Sequence, residues 1–222
     1  AARYLIEKGT VSVGAVMKGQ LHTDVFMGAL LPRDVGLRTG NRLVHVFALY
    51  PADGGAPMLI SDAAVNVTPD EKTSQQAMRE MVRLSSLLGH DKARIAVLSA
   101  TETPIASMPQ SETAALLAHW AHNEFADRDD VAISGPLSCD LALSRASAAI
   151  KGLGDDDVAG HANCLLMPEI VAGNILYKAF VYLAGACAAG IVVGGAVPIL
   201  LTSRADPPEA RLASIALASV AR

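Results

Sequence analysis

Val197-Pro198-Ile199-Leu200-Leu201-Thr202-Ser203-Arg204-Ala205-Asp206-Pro207-Pro208-Glu209 is the run on which the fold turns. Its first six residues are apolar and partly β-branched, and they read as a buried strand. Pro198 suits the opening of a strand better than its middle. Ser203 and Arg204 then emerge at the strand's carboxyl end. A helix is expected at once, with Asp206 as N-cap, Pro207 at the first helical position and Glu209 three residues after the cap. A strand feeding straight into a helix is the repeating unit of α/β proteins. Their ligands bind outside the carboxyl ends of the strands. Free N–H groups and a partial positive charge at a helix start suit an anion, and an arginine there can grip phosphate with two donors. The run is therefore a candidate anion site. The alternative is an ordinary strand-to-helix turn whose arginine is a surface charge.

Immediately upstream, Ala179 to Ser203 carries no charge and is long enough to cross a bilayer. Gly185, Gly190, Gly194, Gly195 and Pro198 interrupt it. Residues 174–187 favour a helix, whereas 190–202 are β-branched and punctuated by glycine. A helix followed by a buried parallel strand accounts for both halves, so no membrane span is expected.

The same alternation extends back through the chain. Residues 1–10 read as a helix end closed by Lys8-Gly9. Val11–Val16 is a short strand that delivers Lys18, and His22 begins a helix running to Leu31. The Gly36–Arg42 turn carries Arg38 and Arg42. Strands are expected at Leu43–Tyr50 and Met58–Asp62, joined by a hairpin-like loop with Gly54-Gly55. Thr68-Pro69-Asp70-Glu71 reads as a capping box opening a helix to Leu88, which Gly89 ends. Further strands follow at Arg94–Ala100, Val131–Ser134 and Ala162–Met167, with helices at Ser111–Phe125 and Leu141–Ile150. Another helix opens at Pro168-Glu169. His119 and His122 share a helix without a third ligand, and a solvated face is the simpler reading. Asp155-Asp156-Asp157 cannot all face one ion and read as a flexible, solvated loop. No metal site is expected.

The totals narrow the classes. The chain has 222 residues, 51% apolar and 18% charged, which suits one large or two small domains with helices on both faces of a sheet. Net charge is −4 with no basic block, so nucleic acid is not an expected partner. Cys139, Cys164 and Cys187 are scattered among apolar residues, which argues against a disulfide framework and for a reducing, cytoplasmic setting. No GxGxxG fingerprint supports a dinucleotide site.

Several runs, in this order, resemble the phosphate acetyl/butyryltransferase family. They are Met17-Lys18-Gly19 with His22-Thr23, Gly36–Gly40, Leu59–Asn66, Gly135-Pro136-Leu137 with Asp140–Ser144, Ala172–Leu176 and Leu201–Asp206. The similarity is closest to the phosphate butyryltransferase-like branch, including versions fused behind an enoyl-CoA hydratase domain. The resemblance implies two α/β domains with largely parallel sheets and an interdomain cleft, as in isocitrate/isopropylmalate dehydrogenases. Residues 1–40 with 197–222 would form the first domain and 41–196 the second. Family members carry an additional opening strand and helix, so the first domain is expected to be N-terminally incomplete. A homodimer is also implied.

The implied reaction is reversible acyl transfer from acetyl-CoA or butyryl-CoA to inorganic phosphate. Cationic donors must hold the phosphate and screen the oxyanion that forms at the thioester carbonyl. The resemblance assigns this to Ser203 and Arg204, with Arg42 and Arg38 as candidates from across the cleft. Asp206 is a candidate base for the CoA thiol, whose pKa is about 8.5 by analogy with free cysteine, and is equally a helix cap. Lys18, His22 and Asn174 are candidates for lining the cleft. No cofactor is implied beyond coenzyme A as substrate or product. The competing readings are a non-catalytic remnant that binds CoA or acyl phosphate, and an NAD-dependent decarboxylating dehydrogenase of the same fold. The latter would need a cluster of metal-binding aspartates, and the sequence offers none that is convincing.

Overall fold

A computed structural model describes residues 13–203 and 205–221. In chain order the elements are β1 (Val16–Met17), α1 (Thr23–Leu30), β2 (Val44–Tyr50), β3 (Met58–Ser61), α2 (Glu71–Leu87), β4 (Ala93–Leu98) and α3 (Pro109–Glu124). They continue with β5 (Val131–Leu137), α4 (Cys139–Leu143), α5 (Arg145–Ile150), β6 (Cys164–Leu166), α6 (Ile170–Ala184), β7 (Cys187–Val193), β8 (Ile199–Leu200) and α7 (Pro208–Val220). The helix end read at residues 1–10 lies outside the described residues.

All eight strands join one sheet in the order β1-β8-β7-β2-β3-β6-β4-β5. The pairs β1–β8, β3–β6, β6–β4 and β4–β5 are parallel. The pairs β8–β7, β7–β2 and β2–β3 are antiparallel. The expected hairpin thus appears between β2 and β3, and the parallel block lies beyond it.

Alternation along β2 divides the core. Val44, Val46 and Ala48 face one layer with Met78, Met81 and Leu84 of α2 and Leu217 of α7. Phe47 and Leu49 face the other with Leu141 of α4 and Leu176 and Tyr177 of α6. A third cluster, around Phe26, Leu30, Val192 and Ile199, binds α1 to the β1–β8 end.

Local chemistry moved several boundaries. The long helix is capped by Asp70, not Thr68: the Asp70 carboxylate accepts from Thr73 N and from the Thr73 hydroxyl. A carboxylate both caps the helix and is attracted by the positive end of its dipole, so it outcompetes a threonine two residues earlier. The helix expected at 141–150 is two helices, because Ser144 adopts an extended conformation and caps the second by accepting from Ser147 N. The Asp155–Asp157 loop is tied down rather than merely solvated. Asp156 accepts from the Ser134 hydroxyl and from Val158 N and Ala159 N, all at 2.8 Å. No helix among the described residues is long and apolar enough to cross a membrane.

Candidate active site

The parallel pair β1–β8 delivers two polar segments side by side, with Lys18 N donating to Leu200 O at 3.0 Å. Lys18 is 5% exposed. Its ammonium donates to Leu21 O at 3.2 Å and to Gly19 O at 3.5 Å, and no carboxylate of the described residues pairs with it. Beside it, Thr202 is buried and Ser203 exposed.

Asp206 does not cap the following helix. Its carboxylate accepts from Ser203 N at 2.6 Å, and Asp206 N returns a bond to Ser203 O at 3.2 Å. The helix starts later, with Pro207 as N-cap and Pro208 at its first position. Two consecutive prolines explain the shift: each supplies a fixed φ without an N–H, so the helix can open at the second, while the Asp206 side chain closes the preceding turn.

A cavity of about 310 Å³ opens between this β1–β8 end and α6. Lys18, His22, Asn174, Ser203 and Asp206 all line it, so five residues named from the sequence converge. His22 occupies the N-cap of α1 without a side-chain capping bond and is exposed. Arg204 lies outside the described residues. Arg42 and Arg38 do not line the cavity: Arg42 is engaged by Asp70 at 3.0 Å, and Arg38 forms an isolated backbone bridge with Gly195.

The opposite wall rests on a close approach. Gly173, in the first turns of α6, lies so near Asp62 and Ala63 that a β-carbon there would overlap the Asp62 carbonyl oxygen. Asn174 then donates its amide to Ala63 O at 3.2 Å, so it holds the wall as well as lining the cavity. Glu169 fixes the helix start by accepting from Val171 N and Ala172 N. Asp62 organises the loop it belongs to. Its carboxylate accepts from His45 N, Ala64 N and Val65 N and from the Asn66 amide at 2.7–3.0 Å.

An aromatic column escaped the sequence reading. His45 and Phe47 share one face of β2, edge to face with centroids 4.3 Å apart, and Tyr177 of α6 stacks on Phe47 at 4.2 Å. Phe47 and Tyr177 reach the cavity. Aromatic residues are only 4% of the chain, so their rarity on two distant apolar segments was the available signal. Burial pushes the Tyr177 phenol up to about 12, with help from Asp206 and Tyr182, so it is protonated at neutral pH. His45 is fully buried, and neither ring nitrogen has a hydrogen-bond partner. Burial lowers it to about 4 despite the opposing pull of Asp62, so it is neutral at pH 7. Among the described residues no cluster of His, Cys, Asp and Glu could hold a metal ion.

The arrangement suits an anion held next to a short apolar group: a buried cation and hydroxyls on one wall, aromatic and aliphatic carbon on the other. Comparison with known proteins agrees. The family model described as phosphate acetyl/butaryl transferase matches residues 2–219. The chain is 40% identical over 211 residues to a phosphate acetyltransferase of Rickettsia felis, covering 93% of this chain and 59% of that protein. It is 38% identical over 203 residues to a probable phosphate butyryltransferase of Bacillus subtilis, covering 91% and 67% respectively. A branched-chain phosphotransacylase structure from Enterococcus faecalis V583 superposes with TM-score 0.83 at 30% identity, over 99% of this chain and 78% of that one. The chain spans about three fifths of the length of the Rickettsia phosphate acetyltransferases it matches. With the family model covering nearly every residue, this chain belongs to the phosphate acetyl/butyryltransferase family.

Proposed function

We propose that this chain carries the acyl-transfer site of an enzyme that moves a short acyl group from coenzyme A to inorganic phosphate, and back. The observation that carries this is the buried Lys18 ammonium beside the Ser203–Asp206 turn in one cavity. Among the described residues the ammonium is met only by the Gly19 and Leu21 carbonyl oxygens, so a bound phosphate would supply the opposite charge that they lack. In the forward direction a phosphate oxygen attacks the thioester carbonyl. The carbonyl electrons move to oxygen, return, and expel the CoA sulfur, which takes a proton on leaving. In this reading Lys18 holds the nucleophile and the Ser203 hydroxyl, which lines the same cavity, donates to the oxyanion.

By family resemblance Arg204 joins them as the phosphate clamp. His22 and Asn174 border the same space. Asp206 serves the turn and is the candidate acceptor of the thiol proton in reverse. Arg38 and Arg42 stand outside the cavity and have no role in this assignment. The reaction as written calls for no metal or organic cofactor. The reading includes a homodimer in the cytoplasm, and two lobes, residues 1–40 with 197–222 against 41–196, that form the cleft.

The test is CoA release from acetyl-CoA and butyryl-CoA with and without inorganic phosphate, using the full-length protein and a thiol reagent. Phosphate-dependent release that Arg204→Ala and Ser203→Ala abolish is the expected result. Release that ignores phosphate, or that survives both substitutions, overturns the assignment. Binding of CoA without release under any condition favours a non-catalytic remnant.

A further inference from the structure

We propose that Lys18 is a self-acylation site: an acyl phosphate lying in the cavity transfers its acyl group to the Lys18 amine, and the amide that results shuts the phosphate site. This rests on the acyl-transfer reading, which supplies the acyl phosphate. Lys18, Ser203 and Asp206 line one cavity of about 310 Å³, so an acyl phosphate formed there shares its space with a primary amine. The Lys18 nitrogen bonds the Leu21 and Gly19 carbonyl oxygens, at 3.2 and 3.5 Å, and no carboxylate of the described residues holds it.

The other described lysines are placed differently. Lys92 pairs with Asp157 at 3.3 Å, and Lys151 pairs with Glu102. Lys72 and Lys178 are exposed, and neither lines this cavity. These four meet acyl phosphate from bulk solution. Lys18 meets it as a bound neighbour, and holding two reactants together makes their reaction effectively unimolecular.

The step balances without another reactant. The Lys18 ammonium first loses a proton to solvent. The amine lone pair then attacks the acyl carbon and a C–N bond forms. The carbonyl electrons return and break the C–O bond to phosphate, and the leaving phosphate takes the second amine proton. One ammonium and one acyl phosphate dianion thus give a neutral amide, hydrogen phosphate and one free proton.

The amide cannot do what the ammonium did. It carries no charge, so phosphate in the cavity loses its cation. It has one N–H where the ammonium had three, so it can no longer serve the Leu21 and Gly19 carbonyls together with a ligand. Its acyl carbons also occupy the space that substrate needs. Acyl phosphate that lingers therefore switches off the site that made it.

The experiment incubates the full-length protein with acetyl phosphate, without CoA, and follows acetyl-lysine at each position by peptide mass spectrometry against time. Lys18 is expected to be labelled at least about tenfold faster than Lys72 or Lys178, as a held reactant requires. Inorganic phosphate should slow labelling of Lys18 and leave Lys72 unchanged, because only Lys18 is reached through the site. Phosphate-dependent CoA release should decay in step with Lys18 occupancy. The decay should be absent in Lys18→Arg, whatever its starting rate, because the guanidinium stays charged. Labelling of Lys18 no faster than that of Lys72, or indifferent to phosphate, overturns the proposal, and so does acetylated Lys18 with full activity. The labelling and protection measurements need only the unsubstituted protein, so they decide the matter if Lys18→Arg is inactive. Failure of the transfer reading shows separately, as absent CoA release from protein never exposed to acetyl phosphate. In that case, selective, phosphate-protected labelling with loss of phosphate binding by calorimetry upholds the site, and unselective labelling overturns it.

Discussion

Gly173 packs its α-carbon directly against the Asp62 carbonyl, with no room for a β-carbon between them. This contact brings α6 onto the β3 end of the sheet and sets the cavity depth, because Ile170, Asn174 and Tyr177 follow from the same helix. Gly173→Ala should therefore destabilise the fold by about 1–3 kcal/mol, as overpacking of a tight contact does. It should also weaken CoA-ester turnover in the folded fraction. Urea denaturation alongside kcat/KM checks both effects. Unchanged stability would mean the helix shifts freely and the contact is not restrictive.

Lys18→Met separates function from folding. Replacing a buried ammonium that bonds only the Leu21 and Gly19 carbonyls by an apolar chain of similar length should be close to neutral for the fold. Phosphate binding should nonetheless weaken, with KM for phosphate up by about tenfold or more, on the scale of a lost charge-assisted bond. A denaturation midpoint that holds or rises while phosphate KM climbs is the expected pair of results. A fall in stability with normal phosphate KM would make Lys18 a structural residue.

His45 should make stability depend on pH. Its folded pKa, about 4, lies below the ordinary histidine value of 6.5 because burial disfavours the charge. The unfolded chain therefore takes up a proton that the folded chain refuses as pH falls below 6.5. The associated stability is complete above pH 6.5 and is lost progressively toward pH 4, by roughly 3 kcal/mol in all. Urea midpoints across that window should fall less steeply in His45→Phe than in the unsubstituted protein. Parallel slopes would show that His45 is not the group responsible.

Asp70→Ala should cost about 1 kcal/mol, the usual worth of an N-cap. Its hydrogen bonds to Thr73 hold the Asp70 carboxyl below the ordinary carboxylate range, with Arg42 adding a smaller effect. Thermal melting of Asp70→Ala beside Arg42→Ala distinguishes the two partners. The cap predicts the larger drop for Asp70→Ala, because the exposed ion pair with Arg42 contributes little.

Much of this fold was legible because hydrophobic period and punctuation agreed. The alternating run 44–50, the Gly54-Gly55 loop and the buried runs at 93–98 and 164–166 all became the expected strands. Lys18, His22, Asn174, Ser203 and Asp206 were named from strand-end placement together with the family resemblance, and the packing brings all five to one cavity. The differences have separate causes. Arg38 and Arg42 were candidates from across the cleft, and they do not line this cavity, because a turn's residues do not say which side of a sheet it will face. Phe47 and Tyr177 lie 130 residues apart in sequence, and only the packing of α6 on β2 brings them together. The Asp206 cap was misplaced by one residue because Pro207 and Pro208 are equivalent in a local reading.

The joint between β7 and β8 has a mechanical meaning. It consists of one residue pair, Val192 with Ile199, while β7 and β2 are paired along seven. The polar wall of the cavity rides on β1 and β8, and the aromatic wall rides on the main body of the sheet. Beyond that rung the joint is held by the Thr39 hydroxyl on Gly194 O, the Arg38–Gly195 bridge and the side-chain packing of Phe26 and Leu30 on Val192 and Ile199. A molecule that touches Lys18 at one end and Tyr177 at the other spans the rung like a strut. Substrate is then part of the scaffold, and occupancy of the cavity should stiffen the joint that the backbone leaves slack.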